Sequence, residues 1–171
     1  MKDLSQYKIS SEGPLSELVR AENIFNFRQL SEWLKYLPYR RITNLSKLDL
    51  VAIEQCGTCS SKHALFNAIA IENSYDGFRL IVGIYMMNDQ NTPGIGNVLQ
   101  ENKLDFIPEA HCYIRIDKDV IDITKPQSIY ESVREDILEE KIMTSYEVIN
   151  TKKDYHRLFI TKWRITNNIL Y

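Results

Sequence analysis

Residues 55–69 read QCGTCSSKHALFNAI, a short polar segment that runs into an apolar one. Gly57 permits a tight backbone turn, and Thr58 or Ser60 can cap a helix. Apolar residues after this turn would give the helix a buried face; they are Ala64, Leu65, Ala68 and Ile69. We therefore predict a helix from about Cys59 to Glu72, with Cys59 on its first turn.

The segments on either side of this helix predict further helices and a buried strand. Apolar residues recur at helical spacing from Leu15 to Leu37, and Pro38 then interrupts the pattern because its ring lacks a backbone N–H. Residues 78–87 are nearly all apolar, which is typical of a strand covered on both faces. Residues 88–109 contain Pro and Gly among polar side chains and predict a long, partly irregular loop.

The C-terminal third predicts a β-hairpin and less regular elements. Residues 110–123 predict a hairpin that turns at 117–119. A short helix near 129–138 and a possible strand at 142–149 follow. From about Thr151 the pattern fits either a helix or a strand, since aromatic residues recur every four positions among β-branched ones.

Length and composition are those of one globular domain. The 171 residues, 44% of them hydrophobic and 26% charged, predict a single α+β domain over residues 1–171, with a loose polar arm at 1–14. The net charge of −2 has no long run of either sign, which argues against nucleic acid as a partner. No apolar run approaches the ~20 residues of a membrane span, and the first residues lack a signal-like apolar region, so we expect a cytoplasmic protein without a membrane partner.

The cysteines are the first candidates for chemistry. Cys56, Cys59 and Cys112 are an odd number and too few for a disulfide framework, so each is a reactive thiol or a small buried hydrophobe. Cys59 falls on the first turn of its predicted helix, where unpaired N–H groups carry about half an elementary charge. That field favours the thiolate and lowers the thiol pKa.

The predicted hairpin supplies a base and an orienting group. Strand alternation places His111 on the face opposite Cys112, and the return strand must bring Asp122 to the His111 side. Cross-strand side chains at such positions have Cβ atoms ~4.5–8 Å apart, within reach of a carboxylate–imidazole hydrogen bond. A nucleophile, a base and a group that orients the base are the parts of a catalytic triad.

These segments resemble the transglutaminase-like core, a family of the papain-like superfamily of cysteine enzymes. The resemblance covers roughly residues 55–124 and is carried by GTCSSKHAL (57–65), the strand through GIY (83–85), AHCYI (110–114) and VIDIT (120–124). It implies a papain/transglutaminase-like fold, in which the catalytic helix packs on an antiparallel sheet. Cys112-Tyr113 stand where the family commonly has a small residue and Trp, so the substrate wall is undefined.

The resemblance also implies roles for individual residues. Cys59 would be the nucleophile, His111 the general base and then general acid, and Asp122 the orienting carboxylate. Attack on an amide or ester carbonyl would give a thioester, which water resolves in a peptidase or amidase and an amine resolves in a transglutaminase. The Cys59 backbone N–H and the Gln55 amide are the expected oxyanion donors, although Gln55 stands closer to Cys59 than is usual in papain-like enzymes. No metal or organic cofactor is required, and the expected partner is a peptide, protein or small amide substrate.

Other interpretations remain open at this point. A catalytically inactive member of the fold could bind a peptide or partner protein. Cys56 and Cys59 form a Cys-x-x-Cys pair, which suits a redox role if residues 48–53 form the preceding strand. A zinc site could use Cys56, Cys59 and His111, but a structural site needs four ligands and Cys112 points to the opposite face from His111.

The remaining candidate side chains have ordinary explanations. His63 lies one turn after Cys59 and could act as a base, but packing beside the site is the preferred interpretation. His156 is expected at the surface. We expect Lys62, Lys152 and Lys153 to be solvated. The substrate, the choice between hydrolysis and acyl transfer, and the oligomeric state are not specified by the sequence.

Overall fold

The computed structural model, which describes residues 2–169, contains one antiparallel sheet; four helices precede its first strand, and further helices lie between and after its strands. The helices are α1 (Pro14–Ala21), α2 (Phe27–Tyr36), α3 (Leu50–Ile53), α4 (Cys59–Glu72), α5 (Gly96–Glu101), α6 (Ile129–Val133), α7 (Ser145–Asn150) and α8 (Lys152–Thr166). The strands are β1 (Phe78–Met87), β2 (Ile107–Ile116), β3 (Asp119–Ile121) and β4 (Ile137–Ile142), and short 3-10 turns occupy Leu4–Gln6 and Arg134–Asp136. The chain is therefore α+β, as its sequence predicts.

Strand β1 lies inside the sheet, which has the order β3-β2-β1-β4 among the described residues. It pairs antiparallel with β2, where Gly83 lies opposite His111, and with β4 on its other side. Residues on both faces of β1 are buried, which explains why the strand has almost no polar residues. Its bounds match the predicted strand.

Helix α4 packs against one face of this sheet and is buried over most of its surface. Alternate residues of β1 and β2 form that face with the apolar residues of α4; they are Leu80, Val82, Ile84, Ala110, Cys112, Ile114, Leu65, Phe66 and Ile69. The helix bounds confirm the prediction, but the burial extends beyond one apolar face to include Lys62, His63 and Asn67. Buried polar groups of this kind need partners inside the protein.

The two N-terminal helices form as the spacing of apolar residues predicts. Helix α2 begins after Asn26, whose side chain accepts a hydrogen bond from the Gln29 N–H at 3.0 Å. The helix ends at Tyr36, and Leu37 is already extended before Pro38. Pro38 therefore ends the helix because the residue before a proline disfavours helical backbone.

The predicted loose arm is wrong for residues 2–14, which pack onto the domain; Met1 lies outside the described residues. Ile9 is only 3% exposed, and its N–H donates to the Phe25 carbonyl at 2.9 Å. The ring of Tyr7 meets that of Phe78 edge to face at 4.8 Å. A few apolar anchors thus hold a segment that is polar on average.

Two predictions about the later elements also need correction. Residues 88–109 contain helix α5 and the start of β2, so the irregular loop is shorter than expected. The strand expected at 142–149 is instead β4 at Ile137–Ile142, followed by α7. Helix α7 starts there because Thr144 and Glu147 form a capping box: the Thr144 N–H donates to Glu147 Oε2 at 2.7 Å, and the Glu147 N–H donates to Thr144 Oγ1 at 3.1 Å.

The C-terminal segment is a helix, α8, which removes the ambiguity after Thr151 for residues up to 169. Helix α7 packs on α4, and α8 packs on β2. The C-terminal helices therefore lie over the elements that carry Cys59 and His111. None of the helices within residues 2–169 has both the length and the apolar composition needed to cross a bilayer.

Candidate active site

Cys59 is the first residue of α4, and contacts around the preceding turn fix it there. The Thr58 N–H donates to Ser61 Oγ at 2.9 Å, which closes the first turn of the helix. The Gly57 N–H donates to the Pro38 carbonyl at 3.1 Å, and the Arg40 N–H donates to the Gly57 carbonyl at 3.3 Å. Residues 38–40 are therefore held by backbone hydrogen bonds next to the turn that precedes Cys59.

Gly57 is required for close packing rather than for an unusual backbone angle. A Cβ at this position would lie 2.8 Å from Lys62 Cγ and 3.0 Å from Ser61 Oγ. The left-handed backbone of this turn falls instead on Gln55, with φ of 51°. The Gln55 amide donates to the Ala52 carbonyl at 2.6 Å, so this predicted oxyanion donor is engaged within its own turn rather than at Cys59.

His111 and Asp122 are brought together across the hairpin. His111 Nε2 lies 3.0 Å from Asp122 Oδ2, and both residues are almost completely buried. The pairing of Ile114 with Ile121 sets Asp122 diagonal to His111 on the same face. Since Asp122 takes Nε2, Nδ1 is the ring nitrogen available to the Cys59 thiol.

Asp122 is also the acceptor for the backbone that follows it. The N–H of Thr124 donates to Oδ1 at 3.0 Å, and those of Ile129 and Tyr130 donate to Oδ2 at 2.8 and 2.9 Å. Burial raises the pKa of Asp122, but the hydrogen bond from His111 and the other donors outweigh it and hold the pKa well below its usual range. Asp122 is therefore an ionised and rigidly held partner for the imidazole.

Cys59 and His111 shift the pKa of one another in opposite directions. Hydrogen bonding with Cys112, the charge of Lys152 and the His111 ring hold the pKa of Cys59 well below its ordinary value, against the effect of burial. Burial lowers the pKa of His111, but Asp122 and Cys59 outweigh it and raise that pKa to about 9. Both shifts favour a thiolate on Cys59 beside an imidazolium on His111.

Lys152, expected to be solvated, instead reaches the candidate nucleophile. Its ammonium donates to Cys59 Sγ at 3.5 Å and to Ser60 Oγ at 3.1 Å. Burial lowers the pKa of Lys152, but the thiols of Cys112 and Cys59 outweigh it, so the group stays charged. Sequence analysis missed this residue because the contact depends on how α7 and α8 fold back, which no local spacing encodes.

His63 ties the first turn of α4 to the segment after Asp122. The Ile123 N–H donates to His63 Nε2 at 3.0 Å, which requires Nε2 to be unprotonated. Nδ1 therefore carries the proton and donates it to the Cys59 carbonyl at 2.7 Å. Burial lowers the pKa of His63 to about 4, so this ring is a neutral packing element, as the sequence favoured, and has no free nitrogen to act as a base.

Lys62 is completely buried, which corrects the expectation that it is solvated. Its ammonium donates to the Leu37 carbonyl at 2.7 Å and to the Thr124 carbonyl at 2.8 Å. Burial lowers the pKa of Lys62 to about 8. The Lys62 side chain therefore links Leu37, at the end of α2, to Thr124, which follows Asp122.

The redox and zinc alternatives lack the geometry they need. The residues before Cys56 form helix α3 rather than the expected strand. Ser60 Oγ lies 3.9 Å from Cys59 Sγ and 3.7 Å from Cys112 Sγ, and all three cysteines are free. Within residues 2–169, no group of three His, Cys, Asp or Glu side chains could hold a metal ion.

A groove opens beside Cys59, which is one of its lining residues. Its cavity measures about 660 Å³, and Cys59 retains 7% of its exposure there. Tyr39 lines the groove, and burial together with its interaction with Cys59 raises the pKa of Tyr39 to about 12. His156, expected at the surface, is partly buried at the rim and contacts the Pro108 carbonyl at 2.9 Å.

Comparisons with protein-family models, with characterised proteins and with solved structures found no match to this chain. Its function must therefore be argued from the chemistry of the groove.

Proposed function

We propose that this protein is a cysteine hydrolase or acyltransferase that acts on amide bonds, built on a papain/transglutaminase-like core. Cys59 is the nucleophile, His111 the acid and base, and Asp122 the orienting carboxylate. The observation that carries the proposal is the buried 3.0 Å contact between His111 and Asp122 beside a thiol at the start of α4. A nucleophile, a base and an orienting group in contact are the signature of nucleophilic catalysis.

The first step is acylation of the thiolate. Cys59 Sγ attacks the carbonyl carbon of the substrate, and the carbonyl electrons move to oxygen. The Cys59 backbone N–H, at the start of α4, is the donor that would stabilise this oxyanion. The His111 imidazolium donates its proton to the departing nitrogen, the C–N bond breaks, and an amine leaves a thioester on Cys59.

The second step releases the acyl group. His111 is now neutral and accepts a proton from water, or from an acceptor amine, as that nucleophile attacks the thioester carbon. The C–S bond breaks and the thiolate is restored beside the imidazolium. The product is a carboxylic acid in the first case and a new amide in the second. Asp122 keeps its bond to His111 Nε2 throughout, so Nδ1 always faces the sulfur.

Two further features favour an active site over an inactive binding fold. The Lys152 ammonium lies 3.5 Å from the sulfur and stabilises its thiolate form. Cys59 also lines an open groove that the protein's own side chains leave unfilled. An inactive relative would be expected to separate the triad residues or to fill the groove with its own side chains.

Thiol reactivity tests the proposal without knowledge of the substrate. Iodoacetamide at neutral pH, followed by peptide mass mapping, is expected to label Cys59 faster than Cys112 or Cys56. His111→Ala should reduce that difference, whereas His156→Ala, the matched control at the groove rim, should leave it unchanged. Equal labelling of Cys59 and Cys112 in the unmodified protein would contradict an activated nucleophile.

A second measurement tests turnover. A pool of peptide amides should release free amine with the unmodified protein and none with Cys59→Ala. Adding methylamine separates the two reaction types, because an acyltransferase converts the thioester to the methylamide while a hydrolase yields the acid. Absence of both products across a broad pool would argue for the binding alternative.

A further inference from the structure

The groove over Cys59 has a charge unlike that of the whole chain. Four permanent cations line it, from two separate chain segments: Arg40, Arg41, Lys152 and Lys153. Among the lining residues within 2–169, only Glu109 carries a carboxylate. With the proposed Cys59 thiolate counted and His156 neutral, the groove has a formal charge of +2, in a protein whose net charge is −2.

Most of this positive charge is not neutralised inside the protein. Within residues 2–169, Arg40, Arg41 and Lys153 make no ion pair with a carboxylate. The Arg40 guanidinium donates to the Glu54 backbone carbonyl at 3.5 Å. Both arginines and Lys153 are exposed, so their charged groups are free to meet a ligand.

The single acidic residue of the groove has other partners. Glu109 Oε1 accepts the Ala110 N–H at 2.8 Å and lies 4.0 Å from His156 Nδ1. The Glu109 carboxylate thus interacts with the backbone of its own strand and with His156 at the groove rim, not with the four cations. Clustered cations repel one another, and an anion that enters between them relieves this repulsion.

We infer that the groove selects acyl substrates that carry an anionic group, a carboxylate or a phosphate, bound by Arg40, Arg41 and Lys153 next to the bond that Cys59 attacks. Guanidinium groups bind both oxyanions in a bidentate manner. The inference rests on the proposed function, since it takes Cys59 to be the nucleophile. The inference narrows the expected substrate from any amide to an amide whose acyl part carries an anionic group.

Alkylating probes of different charge test this selectivity. Iodoacetate and iodoacetamide have the same leaving group and differ in the charge of the group they carry. In the unmodified protein, we expect the ratio of their rates at Cys59 to exceed the ratio for a free thiol such as cysteine. The variant R40Q/R41Q/K153Q, which retains Lys152, should lower that ratio about tenfold at low ionic strength.

A matched triple variant controls for net charge. K103Q/K118Q/K125Q removes the same number of positive charges from exposed positions away from the groove. It should leave the ratio unchanged. An equal fall in both triple variants, or no fall in either, would overturn the inference. Slow labelling of Cys59 by both probes in the unmodified protein would instead overturn the proposed function.

Protection from iodoacetamide identifies the anion. Succinate and inorganic phosphate are compared, with sodium chloride at equal ionic strength as the reference. Slower labelling with succinate assigns a carboxylate, and slower labelling with phosphate assigns a phosphate, provided that the protection is lost in R40Q/R41Q/K153Q. Protection by neither anion would overturn the inference.

Discussion

Lys152 Nζ lies 3.5 Å from Cys59 Sγ although the two residues are 93 positions apart in the chain. Lys152 is the first residue of α8, and its ammonium lies beside the sulfur of the candidate nucleophile. The imidazole of His111 belongs to a different element, β2. The thiolate is therefore stabilised by two cations that belong to different elements. Helix α8 thus contributes a side chain to the candidate active site.

Removing this charge should make the thiol less acidic. In Lys152→Met, we expect the pKa of Cys59 to rise by about 1–3 units, the effect of an opposite charge at this distance. The pH dependence of iodoacetamide labelling measures this pKa. Lys152→Arg should keep it low, and Lys153→Met, which removes an exposed neighbouring charge, should change it far less. An unchanged pKa in Lys152→Met would show that the ammonium does not stabilise the thiolate.

The Asp122 carboxylate should be required for the charge of the imidazole. Asp122→Asn removes the negative partner of His111, so the pKa of His111 should fall from about 9 towards its ordinary value. Since the ring also loses its orientation, kcat/KM on an amide substrate should fall by about 10²–10⁴-fold. NMR titration of the His111 ring and steady-state kinetics measure the two effects. A fall in kcat/KM with no change in the His111 pKa would point to misfolding around Thr124 and α6 instead.

The local parts of the site could be predicted from the sequence because they depend on short-range geometry. Strand alternation and a short turn place His111 and Asp122 on one face of a hairpin, and only 11 positions separate them. Apolar residues at helical spacing likewise define α4 and place Cys59 at its start. In both cases a single repeating unit determines the direction of each side chain.

The remaining parts depend on long-range packing, which leaves no periodic signal. Lys62 is buried because it meets two backbone carbonyls, 25 and 62 positions away, and a carbonyl is present at every residue. The contact between Lys152 and Cys59 likewise depends on how α8 packs on β2, which the local sequence does not indicate. The prediction of a loose arm at residues 2–14 failed for a related reason. Ile9 is a single apolar residue in a polar segment, and no periodic pattern indicates that it is buried.

His63 should make the folded protein sensitive to acid. Its pKa is about 4 in the folded state because it is buried, and its ordinary value is 6.5. Below pH 6.5 the unfolded chain binds a proton at His63 that the folded protein excludes. Stability is therefore lost as the pH falls from about 6.5 to 4, by about 3 kcal/mol from this group.

Thermal denaturation as a function of pH measures this loss. His63→Asn keeps a donor near the Cys59 carbonyl but cannot titrate. It should have a lower Tm at pH 7 and a flatter dependence between pH 6.5 and 4. A variant whose Tm falls as steeply as that of the unmodified protein would assign the acid sensitivity to another group, such as Cys59.

Lys62 should be a structural link whose loss destabilises the domain. In Lys62→Met the carbonyls of Leu37 and Thr124 lose their shared donor, and leaving buried carbonyls unpaired should lower the free energy of unfolding by about 2 kcal/mol. Lys125→Met, at an exposed position nearby, should change it by less than about 0.5 kcal/mol. Urea denaturation compares the two. Equal effects would mean that water or relaxation of the backbone satisfies both carbonyls.

The pH range of catalysis should differ from the pH range of thiol reactivity. Amide cleavage needs the His111 imidazolium to protonate the departing nitrogen, so kcat/KM should fall above pH 9, where His111 loses its proton. Alkylation by iodoacetamide needs no proton donor, so its rate should show no parallel fall. A p-nitrophenyl ester is the matched control, because p-nitrophenolate leaves without protonation and its acylation should also persist above pH 9. If amide, ester and iodoacetamide rates all fell together, the common cause would be unfolding or loss of the groove, and His111 would not be the general acid.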